Sequence, residues 1–180
     1  MKYLIVVDMQ NDFIDGSLGT AEAQAIVPAV CDYIKECSKE GFEIITTQDT
    51  HPTNYLETQE GRRLPVKHCI EGTHGWEINE AVEDALKEIN DDKIIKLTKA
   101  TFGSSALGAF LGLKSNAEEI DEVHLIGLCT DICVISNAVI AKAALPEARI
   151  VIKANACAGV TPASHEAALN CMKTLQMDIE

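Results

Sequence analysis

Five short runs of apolar, mostly β-branched residues punctuate the chain, at 3–7, 42–47, 93–98, 123–126 and 149–152. Their hydrophobic positions are nearly continuous rather than alternating, the pattern of strands covered on both faces. Between and after them the periodicity predicts helices at about 21–39, 77–90, 104–115, 131–144 and 163–177. Gly41 stands just past the first helix, where a left-handed cap belongs. Thr161-Pro162 sets an N-cap hydroxyl and an N1 proline before the last helix. Strands separated by helices of this length imply parallel crossovers. The expected fold is therefore α/β, three-layer α/β/α, with a parallel sheet of five or six strands and helices on both faces. The stretch from 49 to 75 reads as irregular and longer than a structural connection needs, which points to a functional loop.

Composition narrows the setting. At 180 residues the chain fits one domain, 1–180, with no linker, repeat or low-complexity tract. The net charge of −13 argues against nucleic acid and anionic membrane surfaces, both of which are bound through Lys and Arg. A small neutral ligand in a pocket is indifferent to that charge. The first apolar run stops at Asp8, too soon for a secretory signal, and no stretch approaches the ~20 apolar residues of a membrane span. Seven cysteines in no framework spacing then read as reduced thiols, and the expected location is the cytoplasm.

In an open parallel sheet, ligands bind beyond the carboxyl ends of the strands. Asp8 closes the first strand, Thr47-Gln48-Asp49-Thr50-His51 the second and Lys99 the third. Gly127-Leu128-Cys129-Thr130-Asp131-Ile132-Cys133 follows the fourth. Cys133 falls at a helix start, where free N–H groups and the dipole favour a thiolate and could hold an oxyanion. Taken alone, a free cysteine is usually a packed hydrophobe, an aspartate after a strand usually braces a turn, and a lysine is usually solvated. Their arrival at one sheet edge is what raises the catalytic reading.

Asp49 and His51 leave an extended strand two residues apart, so their side chains share a face. With Glu57 or Glu60 and His68 they form an oxygen and nitrogen donor set suited to Zn, Mn or Fe; a loop of polar residues without a metal is the competing reading. His74, His124 and His165 lack such company and read as structural. Cys129 and Cys133 are C-x-x-x-C, not a redox C-x-x-C, and Gly103, Gly108 and Gly112 form no dinucleotide fingerprint.

The ordered motifs Val7-Asp8-Met9-Gln10-Asn11-Asp12-Phe13, Thr47-Gln48-Asp49-Thr50-His51, His68-Cys69-Ile70-Glu71-Gly72-Thr73, Lys99-Ala100-Thr101-Phe102-Gly103-Ser104 and Gly127 through Val134 resemble the nicotinamidase/isochorismatase-like family of cysteine hydrolases. The resemblance implies an isochorismatase-like hydrolase fold and a catalytic triad of Asp8, Lys99 and Cys133. Lys96 is a rival for the lysine, set aside because it lies inside the strand. The resemblance also implies a cis peptide before Cys129, with the backbone N–H groups of Cys129 and Cys133 as the oxyanion hole. It further implies one divalent metal, Zn before Mn or Fe, on Asp49, His51, Glu60 and His68, with Glu57 as the alternative to Glu60. No organic cofactor is expected. Phe13 and Phe102 are the expected substrate contacts, although Leu64-Pro65-Val66-Lys67 replaces the family's aromatic neighbour ahead of the His-Cys pair. The expected reaction is cysteine-dependent hydrolysis of a small amide, foremost nicotinamide to nicotinate and ammonia, in NAD salvage, by a homo-oligomer. The alternatives are a metal-free amidohydrolase acting on another amide or carbamoyl compound, and a non-catalytic ligand-binding or thiol-sensing member.

Overall fold

The computed structural model describes residues 1–180, the side chain of residue 91 aside. Strands β1 (Lys2–Val7), β2 (Glu43–Asp49), β3 (Ile94–Lys99), β4 (Glu122–Leu128), β5 (Arg149–Ala158) and β6 (Asp178–Ile179) form one sheet. Their order is β3-β2-β1-β4-β5-β6, and every pairing is parallel. The helices are α1 (Asn11–Ile14), α2 (Ala21–Lys39), α3 (Gln59–Arg63), α4 (Glu80–Lys87), α5 (Ser105–Ser115), α6 (Ile135–Ala144) and α7 (Pro162–Thr174).

The near-continuous apolar strands are explained by two cores. On β1, Tyr3, Ile5 and Val7 face a layer that includes Leu107 and Leu111 of α5, Ala138 of α6 and Leu169 of α7. Leu4 and Val6 face the opposite layer, with Val30 and Ile34 of α2 and Leu86 of α4. Successive side chains of one strand therefore serve opposite cores, and neither face can be polar. Caps set the helix ends: Ser104 accepts from the Leu107 N–H, and Thr161 forms a capping box with Ser164. Gly41 takes a φ of +87° after α2, as the sequence requires of a left-handed cap.

Several expectations are corrected. The 77–90 helix contracts to α4, because Asn79 caps it and Glu77 remains extended before it. The helix expected over 131–144 begins instead as a π-helical turn, Thr130–Val134, before α6. The 49–75 stretch contains order of its own, with α3 and short 3₁₀ turns at Tyr55–Glu57 and His74–Trp76. β5 runs past 152 to Ala158, and β6 adds a short edge strand. Among the described residues, no helix is long and apolar enough to cross a membrane.

Candidate active site

β1 crosses the centre of the sheet between β2 and β4, so the residues at its carboxyl end meet those of both neighbours. Asp8 follows β1 with a φ of +47°, a left-handed conformation that aspartate tolerates better than most residues. Its Oδ1 accepts from Thr47 Oγ1 at 2.7 Å. Lys99, the last residue of β3, brings Nζ to 2.6 Å from Asp8 Oδ2, 3.4 Å from Asp49 Oδ1 and 3.5 Å from Cys133 Sγ. Asp8 Oδ2 is thus buried in a close ion contact with the Lys99 ammonium. Lys96, the rival lysine, points outward and pairs with Glu83 at 3.6 Å.

Burial sets the protonation states. It pushes the Cys133 thiol well up, Asp8 raises it further, and Lys99 only partly opposes them. Desolvation thus opposes the thiolate that a helix start favours, and Asp8 faces the sulfur as the group to receive its proton. Burial likewise disfavours the Lys99 ammonium, but Asp8 first, then Cys133 whenever it is ionised, and Asp49 overcome it and raise its pKa. Burial also lifts the Asp8 carboxyl despite the opposing pull of Lys99, which makes it a stronger base than a solvated carboxylate. The neighbouring Cys129 thiol is pushed up to about 12, first by burial.

The turn that holds Cys133 has donors to spare. The Leu128–Cys129 peptide is cis. The Cys129 N–H makes no hydrogen bond among the described residues. The first i→i−5 bond of the turn runs from the Val134 N–H to the Cys129 carbonyl at 3.0 Å, so the Cys133 N–H precedes it. Asn137, absent from the sequence reading, and the motif residues Thr130 and Asp131 brace this turn. Asn137, fully buried, donates to the Cys133 carbonyl at 2.8 Å and accepts from the Ser104 N–H at 2.9 Å. Thr130 Oγ1 lies 2.8 Å from His165 Nδ1, and Asp131 accepts from the Val160 N–H at 3.1 Å. A buried asparagine two turns into an apolar helix was the available signal for Asn137, since such an amide must be satisfied.

A second cluster adjoins the first. One ligand-capable atom from each of Asp49, His51 and His68 lies within 4.8 Å of the others, and all three residues are buried. Glu60 Oε1 stands 3.6 Å from His51 Nε2 and 3.8 Å from His68 Nε2. Glu57 instead accepts from Asn54. His68 Nδ1 lies 2.9 Å from the Val66 carbonyl; as the donor there, it leaves Nε2 with its lone pair facing the cluster. His51 Nε2 is 2.9 Å from Asp49 Oδ2 yet lacks an aligned hydrogen bond, an orphaned buried nitrogen. Tyr55, which sequence reasoning also missed, packs against both imidazoles at 4.6 and 4.9 Å. Asp8, Asp49 and Glu60 against Lys99 leave two negative charges, which a divalent cation would balance. The donor set fits such an ion.

Both clusters open on one cavity of about 300 Å³, at the small end for ligand sites. Cys133, Asp49, Glu60 and His68 supply its polar wall, while Phe13, Leu18, Leu64, Phe102, Ile132 and Val160 supply the apolar one. Phe13 is buried with its ring 5.6 Å from His68, whereas Phe102 is 49% exposed at the rim. His124 is braced by Tyr33 and Glu122 at the far end of the sheet, and His74 lies at the surface, in line with their structural reading.

This architecture recurs among known proteins. An uncharacterized isochorismatase family protein, PncA, of Bacillus subtilis is 31% identical over 172 residues, covering 94% of this chain and 92% of that protein. The crystal structure of pyrazinamidase/nicotinamidase from Streptococcus mutans superposes with a TM-score of 0.86 at 28% identity, covering all of both chains. The pyrazinamidase of Pyrococcus horikoshii, solved in complex with zinc, superposes with a TM-score of 0.81 at 28% identity over 99% of this chain and 98% of that one. Residues 2–179 match the isochorismatase domain, and the chain belongs to that family.

Proposed function

We propose that the protein hydrolyses the C–N bond of a small neutral amide, foremost nicotinamide, through a thioester on Cys133. The observation that carries this reading is the reach of Lys99 to Asp8 and Cys133 beside an apolar cavity with a donor cluster on its wall. Asp8 takes the thiol proton as Cys133 Sγ attacks the amide carbon, and Lys99 offsets the negative charge that develops. The N–H groups of Cys129 and Cys133 receive the oxyanion. Asp8 then passes its proton to the departing nitrogen, the C–N bond breaks, and ammonia leaves a thioester behind. Water attacks that thioester, giving one proton to Asp8 as the C–S bond breaks. Asp8 returns the proton to the thiolate, and the acid is released.

Asp49, His51 and His68, with Glu60 beside them, would hold a divalent ion, for which zinc is the first choice given the zinc complex of the Pyrococcus pyrazinamidase. When bound there, such an ion supplies a Lewis-acidic contact for a ring nitrogen. The described cysteines are free thiols, which fits a reducing compartment such as the cytoplasm. A homo-oligomer working in NAD salvage completes the reading.

The test is ammonia release from nicotinamide before and after chelation, with metal content measured on the same samples. The expected result is activity that falls with the metal and returns on its restoration. No ammonia from either preparation would overturn nicotinamide as substrate, and undiminished activity without metal would favour a metal-free amidohydrolase.

A further inference from the structure

The segment Met9–Asp12 contributes no atom to the cavity wall, yet two of its side chains grip the backbone on both sides of the donor cluster. β1 ends its pairing with β2 at Val7↔Thr47, and the Asp8 N–H then donates to the Thr47 carbonyl. Two residues further along β2, the backbone groups of Asp49 face the same way, where no strand residue remains to meet them. The side chain of Gln10 takes that place. Its Oε1 accepts from the Asp49 N–H at 2.7 Å, and its Nε2 donates to the Asp49 carbonyl at 2.8 Å. The same Nε2 donates to the Trp76 carbonyl at 2.7 Å. A fully buried side-chain amide thus substitutes for a missing peptide and continues the ladder by one pair.

Asp12 performs the matching task on the other side. Its Oδ2 accepts from the Cys69 N–H, next to His68, at 2.7 Å, and Oδ1 accepts from the Ser17 N–H at 3.2 Å. Cys69 has a φ of +47°, a turn that this charged hydrogen bond supports. Gly75 leaves the necessary room, since a Cβ there would lie 2.1 Å from Asp12 Oδ2. The held residue also closes the cluster, because the Cys69 carbonyl accepts from the His51 N–H at 2.9 Å. Asp49, His51 and His68 are therefore tied to one short segment that begins next to Asp8.

We infer that Gln10 and Asp12 are positioning residues that set the affinity of the Asp49–His51–His68 cluster for a divalent cation. The inference rests on the metal reading of that cluster. Outer partners that orient ligands typically change metal affinity by about 10–100-fold, without altering the ligand count. Glutamate at position 10 can still accept from the Asp49 N–H but cannot donate to the two carbonyls. Asparagine at position 12 has one acceptor oxygen for two N–H groups.

The experiment is equilibrium titration of metal-stripped wild type, Gln10→Glu and Asp12→Asn with Co²⁺ and Zn²⁺. Chelator competition gives the affinity, the Co²⁺ visible spectrum reports ligand geometry, and circular dichroism checks the fold. The expected result is one ion per wild-type chain, with affinity about 10–100-fold weaker and an altered Co²⁺ spectrum in the folded variants. If Gln10→Glu fails to fold, Asp12→Asn carries the test alone. Wild-type affinity and spectrum in the folded variants would overturn the inference and leave the metal reading standing. No uptake by the wild type would overturn the metal reading itself, and this inference with it.

Discussion

Lys99 Nζ lies 2.6 Å from Asp8 Oδ2, and the two side chains are 1% and 0% exposed. A pair so enclosed holds together only while both charges are present, because the survivor of a single deletion is left desolvated and unpaired. Lys99→Ala is therefore expected to lower unfolding stability by about 3–5 kcal/mol in a urea titration, in addition to removing activity. The double variant Asp8→Asn/Lys99→Met should regain much of that stability while staying inactive. Equal stability of Lys99→Ala and wild type would mean that the pair is solvated in solution.

Gly127 sits where the β4–β5 register shifts, with a φ of +112°, and an added Cβ would fall 2.1 Å from the Val7 carbonyl oxygen. Backbone cannot yield as a flexible side chain can. Gly127→Ala is expected to cost at least about 1–3 kcal/mol, read as a lower denaturation midpoint. An unchanged midpoint would show that β1 and β4 can separate there without penalty.

Only one of the two candidate glutamates reaches the imidazoles. Glu60→Gln is expected to weaken metal retention against a chelator and to raise KM for nicotinamide more than it lowers kcat. Glu57→Gln, altering a contact with Asn54, should leave both quantities unchanged. The reverse ranking would reassign the ligand.

Far from the cavity, burial opposes the charge of Glu122, but His124, Lys2 and Arg149 outweigh it and hold its pKa down to about 2 from an ordinary 4.5. The folded value lies below the unfolded one, so the stabilisation is complete above pH 4.5 and fades as pH falls toward 2. Wild type and Glu122→Gln should differ most near neutrality and converge in acid, measured as urea midpoints across that range. A gap that widened toward pH 2 would contradict the assignment.

Much of this was legible in the chain itself. Continuous apolar runs are what a sheet buried on both faces requires, so the five longer strands and the layers followed from pattern. Asp8, Lys99 and Cys133 could be brought together because parallel strands deliver their carboxyl ends to one edge. The π-helical turn was hidden, since five residues such as Thr130–Val134 are too few to distinguish its period from that of an α-helix. The desolvation that pushes the Cys133 thiol up was hidden too, because burial and the facing carboxylate depend on tertiary packing. Glu60 and Glu57 differ by three positions in a loop whose short helices have no strong periodicity. Gln10, Tyr55 and Asn137 read as ordinary polar or aromatic residues until the sheet showed what their side chains touch.

The most direct measurement compares wild type with Cys133→Ala in nicotinamide hydrolysis, quenching the reaction in acid and weighing the intact chains and their proteolytic peptides by mass spectrometry. Wild type is expected to release ammonia and to show a nicotinoyl adduct confined to the peptide containing Cys133, while the alanine variant shows neither. Ammonia release by Cys133→Ala at the wild-type rate would contradict a thioester on Cys133.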